Sequence, residues 1–352
     1  MKSQIGNRIK SARLLAGLSL RELSEALNGI VSHNAISKYE KGEMMPDSKV
    51  LIAISSALNV KTDYFLRTQT VEISQIEFRK KSSLPIKRIN SIKESIKDSI
   101  ERYLELESLL NVQRTFQNPI NEIKISNNSD VDYAVEVLLH KWDLGINAIP
   151  NVIEMIEDKD IKVIEIEADD KFDGLSGWAN ENIPFIVVNS NFNAERKRFT
   201  MLHELGHLLL EVDKNQTSHK ELEKFCNMFA GSMLLPRQTI YKELGQKRSS
   251  ISLNELIYLK ESYGLSIQAI MARARDLEII SNDQFVRFRI WVNQDLNRKK
   301  EIGFGQFNGM EHSSRFMQML YRAAAEEIIS MSKAASLSNV KLAQFRDEFM
   351  AI

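Results

Sequence analysis

Arg198-Phe199-Thr200-Met201-Leu202-His203-Glu204-Leu205-Gly206-His207-Leu208-Leu209-Leu210 is the stretch on which the reading of this chain turns. On an α-helix, residues four apart lie on one face, so His203 and His207 present their rings side by side. Two imidazoles so placed can share one tetrahedral Zn2+. Glu204, beside the first, is then placed to take a proton from water that such an ion activates. Phe199, Met201, Leu202 and Leu208 to Leu210 make the helix apolar on most sides and therefore buried. Two histidines and a glutamate inside it are costly unless paired or metal-bound. The competing reading is an accidental H-E-x-x-H on a structural helix. Gly206, at mid-helix, costs about 1 kcal/mol relative to alanine and so marks the close approach of a neighbour.

A catalytic zinc takes three protein ligands and keeps a fourth position open. The next helical stretch, residues 218–235, offers Glu221 and Glu223. Ser218 and Glu221 form an S-x-x-E capping box, which gives Glu221 a local task. Glu223, Asn227 and Ala230 share one helical face, while Leu222, Phe225, Phe229 and Met233 share another. Glu223 is the expected third ligand, with Asn227 one turn later bracing the site from behind. Glu221 stays as the second candidate, and His219, in the first turn, is expected in solvent.

Outward from this helix pair, residues 161–166 alternate, 184–189 form a short apolar run, and 174–179 read as a third strand. Residues 184–189 fit either an edge that a peptide joins by backbone pairing or a fully buried strand. From 193 to about 277 the pattern is helical; 303–313 reads as loop and 316–330 as helix. Residues 255–269 suggest either a second helix-turn-helix or, better, helical cover for the same domain. Arg273, Arg275, Arg287 and Arg289 read as a solvated face. Residues 86–112 carry apolar positions at three- and four-residue steps, and such a helix packs within the chain or against a second copy.

The chain has 352 residues, 43% hydrophobic and 27% charged, with only 14 glycines and 6 prolines. This excludes collagen-like, low-complexity and wholly disordered chains and fits two or three domains. A single cysteine excludes an intramolecular disulfide and points to a reducing compartment. No run approaches the length of a membrane span, and the N-terminus lacks the apolar stretch of a secretory signal. A cytoplasmic protein without membrane contact is expected. Net charge is zero, yet residues 1–70 carry 10 Lys/Arg against 6 Asp/Glu, a modest sign of a phosphate-binding face.

The first 67 residues read as five short helices. Ile5, Ile9, Ala12 and Leu15 form one stripe, Ser19 and Glu22 a capping box, and a third helix runs from about Ser32 to Gly42. Leu18-Ser19-Leu20-Arg21-Glu22-Leu23 and Val31-Ser32-His33-Asn34-Ala35-Ile36-Ser37-Lys38-Tyr39-Glu40-Lys41-Gly42 resemble the XRE/Cro-type helix-turn-helix family. The resemblance implies a recognition helix over residues 32–41 that enters the major groove of double-stranded operator DNA. Ser32, His33, Asn34, Ser37 and Lys38 would meet bases and phosphates, and Arg21 would grip the backbone. Paired half-sites imply a homodimer. The stretch from Leu27 to Ile36 is about two residues longer than the family's usual turn.

Residues 198–210, together with Glu223-Lys224-Phe225-Cys226-Asn227-Met228-Phe229-Ala230 and Leu234-Leu235-Pro236, resemble the ImmA/IrrE family of zinc metallopeptidases, as do Trp142 to Gly145, Phe172 to Ser176 and Pro184 to Asn189. The likeness covers about residues 130–280. It implies His203, His207 and Glu223 as Zn2+ ligands and Glu204 as the catalytic acid/base. Cys226 stands where that family usually has alanine and reads as a small buried residue.

The expected fold is α+β, mainly α with a small β-sheet. It comprises a five-helix helix-turn-helix domain (1–68), a linker with an amphipathic helix (69–129), a zincin-like metallopeptidase domain (130–280) and a mostly helical C-terminal region of unassigned role (281–352). The expected function is a DNA-binding transcriptional regulator carrying a zinc-dependent endopeptidase. By resemblance its protein substrate is a repressor or antitoxin, cleaved to relieve repression of stress-response, mobile-element or toxin–antitoxin genes. The alternative is a DNA-binding repressor or antitoxin whose zinc site is structural or sensory.

Overall fold

Side-chain caps set the N-terminal helices. In the computed structural model, which describes residues 2–68, 70–74, 85–213 and 215–350, α1 (Lys2–Leu15), α2 (Leu20–Ala26), α3 (His33–Glu40) and α4 (Ser48–Ala57) precede a 3-10 turn (Thr62–Leu66). Ser19 and Glu22 close the capping box at α2, and Ser32 and Asp47 accept from backbone amides at the starts of α3 and α4. Asn28 (φ 51°) and Gly29 (φ 72°) turn the chain between α2 and α3 through the left-handed region. Ile9, Leu23, Ile36, Ile54 and Phe65 fill one small core. Gly6 lets α1 cross the end of α3, because a Cβ there would stand 2.2 Å from the Tyr39 carbonyl oxygen.

A short strand, β1 (Ile73–Ser74), leads towards the long helix α5 (Ile86–Leu109). The polar connection expected at residues 78–83 lies outside the described residues. Next come β2 (Lys124–Ile125), α6 (Asn128–Lys141), α7 (Val152–Asp158), β3 (Lys162–Ile166), β4 (Gly174–Ala179) and β5 (Ile183–Asn189). The main sheet has the order β1-β4-β5-β3, with β5 parallel to β3 and antiparallel to β4. Residues 184–189 are therefore not an edge. The continuous apolar run Phe185-Ile186-Val187-Val188 is the pattern of a strand covered on both faces. Phe185, Val187, Ile164 and Leu175 pack on Ile92, Ile96 and Ile100 of α5, while Val163, Ile186 and Val188 turn to the opposite core. The stripe of α5 is thus buried within the chain, the first of the two roles its pattern allowed.

The second core is built on α8 (Ala194–Leu209) and α9 (His219–Leu234), separated by β6 (Glu211–Val212), which pairs in parallel with β2. Further helices α10 (Arg237–Leu244), α11 (Leu253–Tyr263) and α12 (Ile267–Asp276) bury Leu256, Leu259, Ile267 and Ile270 in that same core, so residues 255–269 are cover for it. Arg273 is buried 2.7 Å from Asp132 Oδ1, a structural pair and not part of a solvated face. After α13 (Asn282–Asn293) and α14 (Leu296–Lys299), residues 303–314 cross the base of α8 without helix or strand. The last helices, α15 (Arg315–Ala325), α16 (Met331–Leu337) and α17 (Leu342–Glu348), form a small core with Leu106 and Leu110 at the end of α5. Among the described residues no helix is long and apolar enough to cross a membrane.

Candidate metal centre and nucleic-acid face

Asn193 caps α8 by accepting from Arg196 N, and the helix that follows is buried on most of its surface, as its apolar flanks required. Ser218 and Glu221 close the capping box that starts α9. This commits Glu221 to the helix start, where hydrogen bonds from Ser218 lower its pKa. The two helices touch at Gly206, where a Cβ would lie 3.3 Å from Cys226 Cα and 3.4 Å from its Sγ. That close approach brings the α9 side chains over the two histidines.

His203 Nε2 and His207 Nε2 stand 3.1 Å apart. The Glu223 carboxylate lies 3.4 Å from His207 Nε2 and 3.7 Å from His203 Nε2. Ligands about 2.0–2.1 Å from one tetrahedral ion are separated by roughly 3.3 Å, so two imidazole nitrogens and a carboxylate at these spacings fit Zn2+. On its far side His203 Nδ1 is 2.8 Å from Asn227 Oδ1, an acceptor that turns the lone pair of Nε2 towards the cluster. Ser176 Oγ on β4 donates to Glu204 Oε2 at 2.9 Å. Side-chain accessibility rises from 4% at His203 to 14% at His207 and 21% at Glu223, so the cluster opens on the Glu223 side. His219 is largely in solvent, 3.9 Å from Glu223.

Two residues of this site carried no functional assignment from sequence. Ser176 sits in the 172–176 stretch singled out above, but only the packing of β4 against α8 brings its hydroxyl to Glu204. The Cys226 thiol, with one ring nitrogen from each of His203 and His207, belongs to a group of donor atoms all within 4.8 Å of one another. Its position three residues after Glu223 on the same helix was the available signal.

On the N-terminal domain, Arg21, His33, Asn34 and Lys38 are exposed and Ser37 is half-buried. The Ser32 hydroxyl accepts from Ala35 N at 3.3 Å, so it serves as the cap of α3. Ile36 and Tyr39 are buried, on the face of α3 turned away from these polar side chains.

Comparison with known proteins agrees with both halves. Residues 9–65 match a helix-turn-helix family model, and residues 156–275 match the IrrE N-terminal-like domain. The chain is 35% identical over 94 residues to the HTH-type transcriptional regulator ImmR of Bacillus subtilis (strain 168), covering 27% of this chain and 68% of that protein. An XRE-type helix-turn-helix domain is here fused to an ImmA/IrrE-family domain. The chain is also 26% identical over 157 residues to uncharacterized immunity region protein 2 of Bacillus phage phi105, covering 42% of this chain and 90% of that protein. The IrrE-like match spans β3 to α12 and so includes the whole histidine–glutamate cluster; the helix-turn-helix match includes α2 and α3.

Proposed function

We propose that this protein is a DNA-binding transcriptional regulator whose IrrE-like domain is a zinc-dependent endopeptidase acting on a repressor or antitoxin protein. The observation that carries the reading is the convergence of His203, His207 and Glu223 beside a glutamate held by Ser176. These three side chains would hold the ion, and Zn2+, when bound, supplies Lewis acidity and makes water reactive near neutral pH. Glu204 takes the proton of the attacking water and returns it to the leaving amine, with Ser176 keeping one carboxylate oxygen in place. Asn227 fixes the tautomer and ring angle of His203. Arg21, His33, Asn34, Ser37 and Lys38 contact an operator, two copies of the chain reading paired half-sites.

Two measurements test this reading. Elemental analysis should find about one zinc per wild-type chain and clearly less in Glu223→Ala. Incubation with candidate repressor and antitoxin proteins should yield cleavage by wild type and none by Glu204→Gln. A second reading, a structural or sensory centre without proteolysis, is favoured by the thiol of Cys226 among the donors. It predicts zinc binding and DNA binding in both proteins and cleavage by neither.

A further inference from the structure

We propose that Cys226 is a fourth, exchangeable donor to the ion held by His203, His207 and Glu223, so that the chain closes the open position of its own metal centre. The inference rests on the metal-centre reading above and deepens it. Three observations support it. Cys226 follows Glu223 by three residues, so both side chains leave α9 on the face turned to α8. Gly206 places no side chain between the helices, and the thiol lies directly beside the space where one would stand, 3.4 Å from the Cβ position. The sulfur and the two histidine nitrogens then fall within 4.8 Å of one another, with Cys226 wholly shielded from solvent.

The same spacing lets the donor exchange. Sulfur at about 2.3 Å and nitrogen at about 2.0 Å from a tetrahedral ion are separated by roughly 3.5 Å. While the sulfur stands back from the ion, the fourth position is available to water and substrate. In a donor set no wider than 4.8 Å the sulfur reaches that separation by moving little more than an ångström at most, and the thiol loses its proton to solvent as the metal–sulfur bond forms. Whatever held the open position leaves, and the centre becomes a closed set of two imidazoles, one carboxylate and one thiolate, of the structural kind. A soft thiolate in a dry pocket is a strong competitor for Zn2+.

Co2+ binding to the intact chain tests this, with Cys226→Ala and the near-isosteric Cys226→Ser compared after circular dichroism shows both folded. Wild type should bind one Co2+ and show a thiolate-to-metal charge-transfer band in the near ultraviolet. The variants should keep the visible d–d bands, lose the near-ultraviolet band and bind Co2+ at least about tenfold more weakly. Equal affinity, identical visible spectra and no near-ultraviolet band in wild type would overturn the proposal and leave the thiol as packing. Absence of Co2+ binding by wild type would overturn the metal-centre reading itself, an outcome that stoichiometry separates from the first.

Discussion

His203 is held from both sides: Asn227 accepts at Nδ1, 2.8 Å away, and His207 and Glu223 face Nε2. Removing the acceptor frees the ring to rotate and to change tautomer. Asn227→Ala should therefore weaken zinc binding about 10–100-fold, read by competition with a chromogenic chelator, while Asn227→Asp retains the acceptor and most of the affinity. Glu204→Gln leaves His203, His207 and Glu223 in place, so it should keep its zinc and lose cleavage. Gly206 is constrained by packing and not by backbone conformation. Gly206→Val forces branched carbons onto Cys226 and should destabilise the fold by about 1–3 kcal/mol, seen as a lower urea midpoint at unchanged slope. Asn227 was legible from its helical face shared with Glu223. Ser176 was not, because its partner Glu204 is 28 residues away in another element.

Among the elements, the segment 303–314 anchors α8 from below. Glu311 is buried, pairs with the fully buried Arg198, and accepts from Val152 N and Ile153 N at the start of α7. Arg198 also stacks over Phe307 at 4.4 Å and donates to Ile149 O at 2.8 Å. Glu311→Ala leaves an uncompensated guanidinium in the interior and should cost about 3–5 kcal/mol by denaturant unfolding. Glu157 on α7 behaves differently. Ser313 Oγ donates to its Oε1 at 2.7 Å, but burial dominates and pushes its pKa up to about 7 from 4.5. Between those values the native state holds a proton that the unfolded chain has released, so stability falls as pH rises through that window. Glu157→Gln keeps the acceptor and removes the charge. It should match wild type near pH 4.5 and exceed it at pH 8 by on the order of 2 kcal/mol, a gap visible in thermal scans at the two pH values.

Across the whole molecule, α5 joins the core beneath the sheet to that of the C-terminal helices and lies against the helix-turn-helix domain. Its first half supports the sheet, its end joins the C-terminal helices, and the helix-turn-helix domain is fastened along its side. Arg8 pairs with Glu101 at 2.7 Å, Ser91 Oγ donates to Leu15 O at 2.8 Å, and Lys87 pairs with Glu22 at the cap of α2. That ion pair and the Ser19 hydrogen bonds lower the Glu22 pKa to about 2. From the other side, Arg67 donates to Ser336 Oγ of α16 at 2.7 Å. Because Ile96 is fully buried beneath the sheet, Ile96→Ala should destabilise the protein by about 2–5 kcal/mol, measured in urea, though it belongs to neither proposed site. The exposed Lys38 gives the complementary case. Lys38→Ala should leave stability unchanged and lower the slope of log affinity for operator DNA against log salt by about one.

What the sequence determined by itself was local. Spacings of three and four residues place His203, His207, Glu223 and Asn227 on helix faces, and S-x-x-E pairs mark where helices begin, because caps and periodicity depend only on near neighbours. The tertiary structure decided what depends on residues far apart in the chain. The run at 184–189 was consistent with an edge or an interior strand until β3 and β4 were seen to flank it. The helix at 86–112 fitted packing within the chain or pairing with a second copy, and the faces of the sheet and of the C-terminal helices that it covers decided for the first. The C-terminal region, unassigned from its pattern, supplies Glu311 to a buried arginine 113 residues earlier. Sequence periodicity records which face of an element is apolar, but the partner that buries the face is chosen by shape and charge across the folded chain.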